Sequence, residues 1–221
     1  MKLLLSALTK LICGFLLLGA LLFWPAGTFA YVGAWRFLAL LFIPMLIMGT
    51  VLLIKSPALL RKRLDGKEKQ AAQKGVLALS GLMFPAGFVV SALDFRYGWS
   101  TVPMWAVIAA SVAFLIGYTM YAEVMRENAY LSRTIEVQEN QTVISTGLYG
   151  VVRHPMYAAT LLMFLPLPLI LGSFWGLCAF SLYPVILVIR IRNEEAVLRE
   201  QLDGYADYLT KVKYRLIPFI W

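Results

Sequence analysis

The sequence predicts an all-α integral membrane protein, a polytopic bundle of about six transmembrane helices ending in a helical hairpin and a short tail helix. Three observations carry that prediction. Of 221 residues, 61% are hydrophobic and only 14% charged, far too apolar for a soluble domain of this length. The apolar runs approach the ~20 residues that a bilayer core demands. They also lack the alternation of barrel strands, and in hydrocarbon a run must pair every backbone amide within its own segment, which leaves the helix.

Four runs meet this length in order, at residues 4–26, 33–54, 75–93 and 102–122. A fifth stretch, 156–189, is too long for one span and is broken at Gly172-Ser173, just after Pro166 and Pro168. It reads as a tight hairpin of two short spans. The chain thus divides into a four-span region, 1–124, and a region of 125–221 holding a polar connector, the hairpin and the tail.

Lys and Arg set the expected orientation. The loop 55–74 holds Lys55, Arg61, Lys62, Arg63, Lys67, Lys69 and Lys74 against Asp65 and Glu68, so it is expected on the cytoplasmic side. Only Arg36 and Arg96 fall in the alternate loops, which puts both termini in the cytoplasm as well. The first run exceeds the apolar core of a signal peptide and encloses Lys10, so it reads as an uncleaved helix. Cys13 and Cys178 lie in apolar runs, too far apart for a metal pair or a disulfide framework, and read as small core residues. In such a chain the formal charge of +8 reports orientation and contact with anionic lipid, not nucleic acid.

The chemistry-bearing residues gather where the hairpin arms leave the apolar zone. "GLYGVVRHPMY" (147–157) opens the first arm, and the second ends at Arg190 and continues as the amphipathic "RIRNEEAVLREQL". Seventeen residues per arm span ~25 Å, slightly less than a bilayer, so both polar clusters should lie near headgroup level. Arg190 and Glu194 are four apart, as are Glu195 and Arg199, and can pair along the helix. Glu194 and Glu195 point about 100° apart and can serve different partners. Singly, each residue has a bland reading: stop-transfer charges at Arg190 and Arg192, helix support from the Glu-Arg pairs, a helix start at His154-Pro155. Converging from two spans at membrane depth, they mark a functional site, since desolvating them is expensive.

The ordered segments "TGLYGVVRHPMY", "RIRNEE", "GYADY" and "YRLIPF" resemble the isoprenylcysteine carboxyl methyltransferase and phospholipid methyltransferase superfamily of membrane enzymes, over residues 130–221. That resemblance implies S-adenosylmethionine as methyl donor, bound at the polar end of the hairpin under the tail. By motif position it implies a cofactor pocket lined by Gly147, Tyr149, Arg153, His154, Pro155 and Tyr157, with Glu194 and Glu195 on polar groups or at the reacting centre. It gives Arg190 to the orientation of the acceptor, a role the chemistry of a carboxylate acceptor leaves open to Arg153 as well, and Tyr205, Tyr208 and Pro218 to closing the pocket. No metal is implied. Leu148, where many relatives have Pro, and Tyr214-Arg215, in place of Val-Pro, are departures that bear on the substrate.

The expected partners are membrane lipids and a lipidic or prenylated acceptor. A carboxylate acceptor is already ionised at neutral pH and needs only a cation to orient it, whereas an amine must first lose a proton. N-methylation of a phospholipid amine is the nearest alternative. A sterol-reductase-like enzyme using NADPH stands further off, because the loops are short and the chain holds a single His, and so does a non-catalytic scaffold or permeation protein, because the charged residues cluster at one face and form no path across the bilayer. Alternation in "RTIEVQ" (133–138) hints at short extended structure, and the connector around it is a candidate lid.

Overall fold

The computed structural model describes residues 2–64, 71–131 and 137–221, with backbone alone at 71–74 and 77. Asp65, Lys67, Glu68 and Lys69 of the basic loop, and residues 133–136 of the alternating segment, lie outside the described residues.

Ten α-helices occur among them and no strand: α1 (Lys2–Ala26), α2 (Val32–Lys55), α3 (Pro57–Leu64), α4 (Ala71–Tyr97), α5 (Met104–Glu127), α6 (Pro155–Phe164), α7 (Leu167–Leu171), α8 (Trp175–Phe180), α9 (Tyr183–Gln201) and α10 (Tyr205–Lys211). A 3₁₀ turn, Gly147–Gly150, precedes α6. Five helices among the described residues are long and apolar enough to cross a membrane: α1, α2, the part of α4 from Ala78 to Tyr97, α5 and the continuous stretch Trp175–Gln201. The hairpin's other arm, Pro155–Leu171, is a shorter apolar helix. The protein is an integral membrane protein of all-α class.

Proline placement explains the broken arms. Pro155, Pro168 and Pro184 fall in the first turns of α6, α7 and α9, where a missing amide hydrogen costs no helical bond. The tip turns at Gly172, whose φ of +84° is a left-handed conformation that L side chains adopt rarely. A buried polar knot fixes this tip. Asp94, fully buried at the end of α4, accepts from the Ser100 amide at 2.7 Å, the Ser100 hydroxyl at 2.6 Å and the Ser173 hydroxyl at 2.5 Å. Tyr31 donates its hydroxyl to the Leu171 carbonyl at 2.8 Å, and Arg36 donates to the Ile170 carbonyl at 3.1 Å. These bonds satisfy carbonyls that the tight turn leaves without helical partners.

The core runs between the arms and their neighbours. Phe84 of α4 meets Phe164, Phe180 and Tyr183 edge-on, with centroids 5.2, 5.4 and 5.8 Å away. Helix α5 lies along α6 at Gly117, where a Cβ would stand 2.7 Å from the Ala159 carbonyl oxygen. Small residues at such crossings let helix backbones approach, as membrane interiors favour.

Two expectations need correction. Cys13 and Cys178 are exposed on the outward faces of α1 and α8, not in the core. An apolar run does not say which of its residues face lipid and which face a helix, because both surroundings are apolar. The basic loop also opens with a helix, α3, which buries Leu59 and Leu60 while Arg61 and Lys62 stay exposed.

Candidate functional site

The polar ends of the two arms meet, as hairpin closure requires. The 3₁₀ turn delivers Tyr149, the extended link delivers Arg153 and His154, the first turn of α6 delivers Tyr157, and one face of α9 delivers Arg190, Glu194 and Glu195. His154 occupies the N-cap of α6 without capping it. Its imidazole turns to Glu195 instead, with Nε2 at 3.3 Å from Oε1.

Glu195 is the centre of a cationic nest. Its carboxylate, 4% exposed, faces Arg153 at 3.2 Å, His154 at 3.3 Å, Arg215 at 3.0 Å and, from one turn along α9, Arg199 at 3.7 Å. Arg153 is itself buried and also donates to the Lys213 carbonyl at 3.1 Å. Several cations around one buried carboxylate make its ionised form the stable one.

Glu194 has a different fate. Tyr157 donates its hydroxyl to Glu194 Oε2 at 2.5 Å and accepts from Arg190 Nε at 2.9 Å, so a hydroxyl from the first arm links the acid and the cation of the second. The Arg190 guanidinium also lies 5.9 Å from the centre of the Tyr157 ring.

A cavity opens between these arms, the connector and the tail. Of the expected site residues, Tyr149, Arg153, His154, Pro155, Tyr157, Arg190, Glu194, Tyr205 and Tyr208 line it. Gly147, Glu195 and Pro218 are not in its lining. Gly147, with φ of +50°, packs against the Glu127 carboxylate outside the wall, and Glu195 lies behind it within its nest. Tyr208 donates its hydroxyl to the Tyr149 carbonyl at 2.7 Å, tying the tail helix α10 across the 3₁₀ turn. Burial pushes the Tyr149 hydroxyl up to about 12 and raises those of Tyr205 and Tyr208 too, so all three stay neutral donors.

Among the described residues, two buried donors on cavity-lining side chains find no acceptor: the Tyr205 hydroxyl and Arg153 Nε. Unpaired buried donors are rare, and both belong to cavity-lining residues. They suit an anionic or carbonyl group of a ligand.

The connector supplies wall residues that the motifs do not mark, among them Asn128, Gln141, Thr142 and Val143. Asn128 donates to the Tyr149 hydroxyl at 2.8 Å, and Val137 and Val143 pack on Leu202, Tyr205, Tyr208 and Val212 of the tail. The signal available in the sequence was these valines, with Ile144, recurring in an otherwise polar stretch.

Residues 105–203 match the family model described as phospholipid methyltransferase. The match covers somewhat less than half of the chain. The family match takes in α5, which packs on the first hairpin arm, and runs through the second arm. Among similar proteins is the uncharacterized protein YpbQ of Bacillus subtilis (strain 168), 30% identical over 97 residues, or 43% of this chain and 58% of that protein. The Delta(14)-sterol reductase TM7SF2 of Mus musculus is 31% identical over 91 residues, or 40% of this chain and 22% of the reductase. The chain thus spans less than two thirds of the length of either relative.

Proposed function

We propose that the protein is a membrane methyltransferase that takes its methyl group from S-adenosylmethionine and passes it to a lipid-borne carboxylate at the polar end of the hairpin. The family match supports the reaction class. The observation that carries the cofactor reading is the pair of buried donors without acceptors, Tyr205 Oη and Arg153 Nε, in the wall of one cavity. They fit the carboxylate of an amino-acid cofactor, while Glu194, also in the wall, fits its ammonium group.

When bound, S-adenosylmethionine supplies a methyl group on a cationic sulfonium, open to in-line displacement. The work of the chain is then to bind, orient and keep water out. Tyr208 and α10 close one side of the cavity through the bond to Tyr149. Arg190, held by Tyr157, is the cation that orients an anionic acceptor, and such an acceptor needs no general base. Arg153 enters this reading on the cofactor side, because its other contacts engage Glu195 and the Lys213 carbonyl. The basic residues of α3 and its loop support a cytoplasmic placement for the side of the membrane that holds the cavity and both termini.

Calorimetry with S-adenosylhomocysteine on protein in nanodiscs tests the cofactor. Wild type is expected to bind, and Tyr205→Phe to bind about tenfold more weakly, the loss of one bond to a charged group. Folded wild type that fails to bind sinks the proposal. Methyl transfer from labelled donor to matched lipid acids and lipid amines then tests the acceptor. A base-labile product from the acid supports the carboxylate, and methylation of the amine alone reassigns the enzyme to phospholipid N-methylation.

A further inference from the structure

Beyond α10 the chain folds back against the link that carries Arg153 and His154. Its backbone pairs with the link before α6: the Arg153 amide donates to the Tyr214 carbonyl at 2.9 Å, and the His154 amide to the Arg215 carbonyl at 2.9 Å. Leu216 is buried in the main core, and Arg215 both holds Glu195 and lies 5.4 Å from the Trp221 ring centre. The last residues close into a loop, with the Leu216 and Ile217 amides donating to the Trp221 carbonyl at 2.8 and 3.1 Å. At one edge this segment is therefore bonded to two residues of the site wall.

Its other edge is bare and apolar. Phe219 is 87% exposed and Ile220 76%, with Ile217 exposed beside them. Phe219 also takes φ of +66°, a region that bulky side chains adopt rarely. The chain thus accepts local strain to turn an aromatic ring outward. Lys211 and Lys213, both exposed, stand just before this loop. The pattern of basic residues followed by an outward apolar cluster is that of an interfacial anchor, and the loop lies where both hairpin arms leave the apolar zone.

We propose that residues 211–221 seat on the anionic surface of the membrane that the helices cross, with Ile217, Phe219 and Ile220 in the apolar boundary and Lys211 and Lys213 against lipid phosphates. The seat couples the bilayer to the site, because the same segment carries the Tyr214 and Arg215 carbonyls that pair with Arg153 and His154. Lipid charge then sets how firmly the link carrying Arg153 and His154 is held.

Hydrogen exchange read by mass spectrometry tests this without any cofactor, so its outcome is separate from that of the methyl-transfer proposal. The protein is placed in nanodiscs of phosphatidylcholine, with and without phosphatidylglycerol, and exchange in 212–221 is compared, the α5 and α6 amides serving as internal reference. Two lysines near an anionic surface should slow exchange in this segment about tenfold. Lys211→Gln with Lys213→Gln should remove the dependence on lipid charge, and Phe219→Ser with Ile220→Ser should speed exchange in both lipids while α5 and α6 are unchanged. Equal wild-type rates in both lipids overturn the proposal. So does protection that follows protein concentration, which would assign the patch to a second copy of the chain.

Discussion

Replacing Glu195 by Gln keeps its volume and removes its charge, and the environment dictates a large cost. Arg153, its side chain 8% exposed and 3.2 Å from the carboxylate, loses its counter-charge while staying buried. Removing one partner of a buried pair costs about 3–5 kcal/mol. Arg199, 53% exposed, contributes only about 0–1 kcal/mol, as surface pairs do. The glutamine amide must also place its own hydrogens among donors from Arg153, His154 and Arg215. For a chain of this length each kcal/mol moves the midpoint by about 2–4 °C, so Glu195→Gln should lower Tm by roughly 6–20 °C. Thermal unfolding followed by intrinsic fluorescence in detergent reads this directly. Adding Arg153→Met should recover more than half of the loss, because it removes the stranded cation. A drop under about 2 °C for the single variant, or a double variant less stable than the sum of the singles, would refute the buried-pair account.

Gly117→Ala should destabilise by about 1–3 kcal/mol, since its Cβ would meet the Ala159 carbonyl at 2.7 Å and force α5 from α6. Gly81→Ala, with nothing within 4 Å, is the control and should be neutral or slightly stabilising in the same melting assay. Ser173→Ala removes one of three bonds to buried Asp94 and should cost about 1–3 kcal/mol by the same measure. Reporter fusions at the C-terminus and within the basic loop after α3 should both read cytoplasmic, and an opposite signal at either reverses the proposed orientation.

The spans at 4–26, 33–54, 75–93 and 102–122 were legible because length and apolarity alone decide what can cross a bilayer. The hairpin was legible too, from Gly172 and the flanking prolines, and the meeting of the His154 and Glu195 arms followed from it. What hydropathy hides is direction around each helix. Cys13 faces outward though its run looks like core, and α3 folds from a segment whose charges mask Leu59 and Leu60. The connector's part in the cavity wall was hidden for another reason. Gln141 and Thr142 reach the site through long-range packing of Val143 on the tail, which no local periodicity records.

The adjacent glutamates show how much the site owes to helix register. On α9 they diverge by about 100°, and that angle separates a carboxylate neutralised inside a nest of Arg153, His154 and Arg215 from one that faces the cavity with Tyr157. Rotating α9 by a single residue would exchange them, leaving Arg153 unpaired and turning the wrong carboxylate to the cavity. Ile186, Leu187 and Ile191, buried in the core along one face of α9, oppose this rotation. At the opposite end of the hairpin Asp94 grips Ser173 and Ser173 in turn accepts the Gly176 amide at 2.9 Å, fixing the start of α8. From there the proline-marked step into α9 carries a set rotation to Glu194 and Glu195. Core packing along α9, with the anchored tip behind it, therefore determines which of two neighbouring acids faces the cavity.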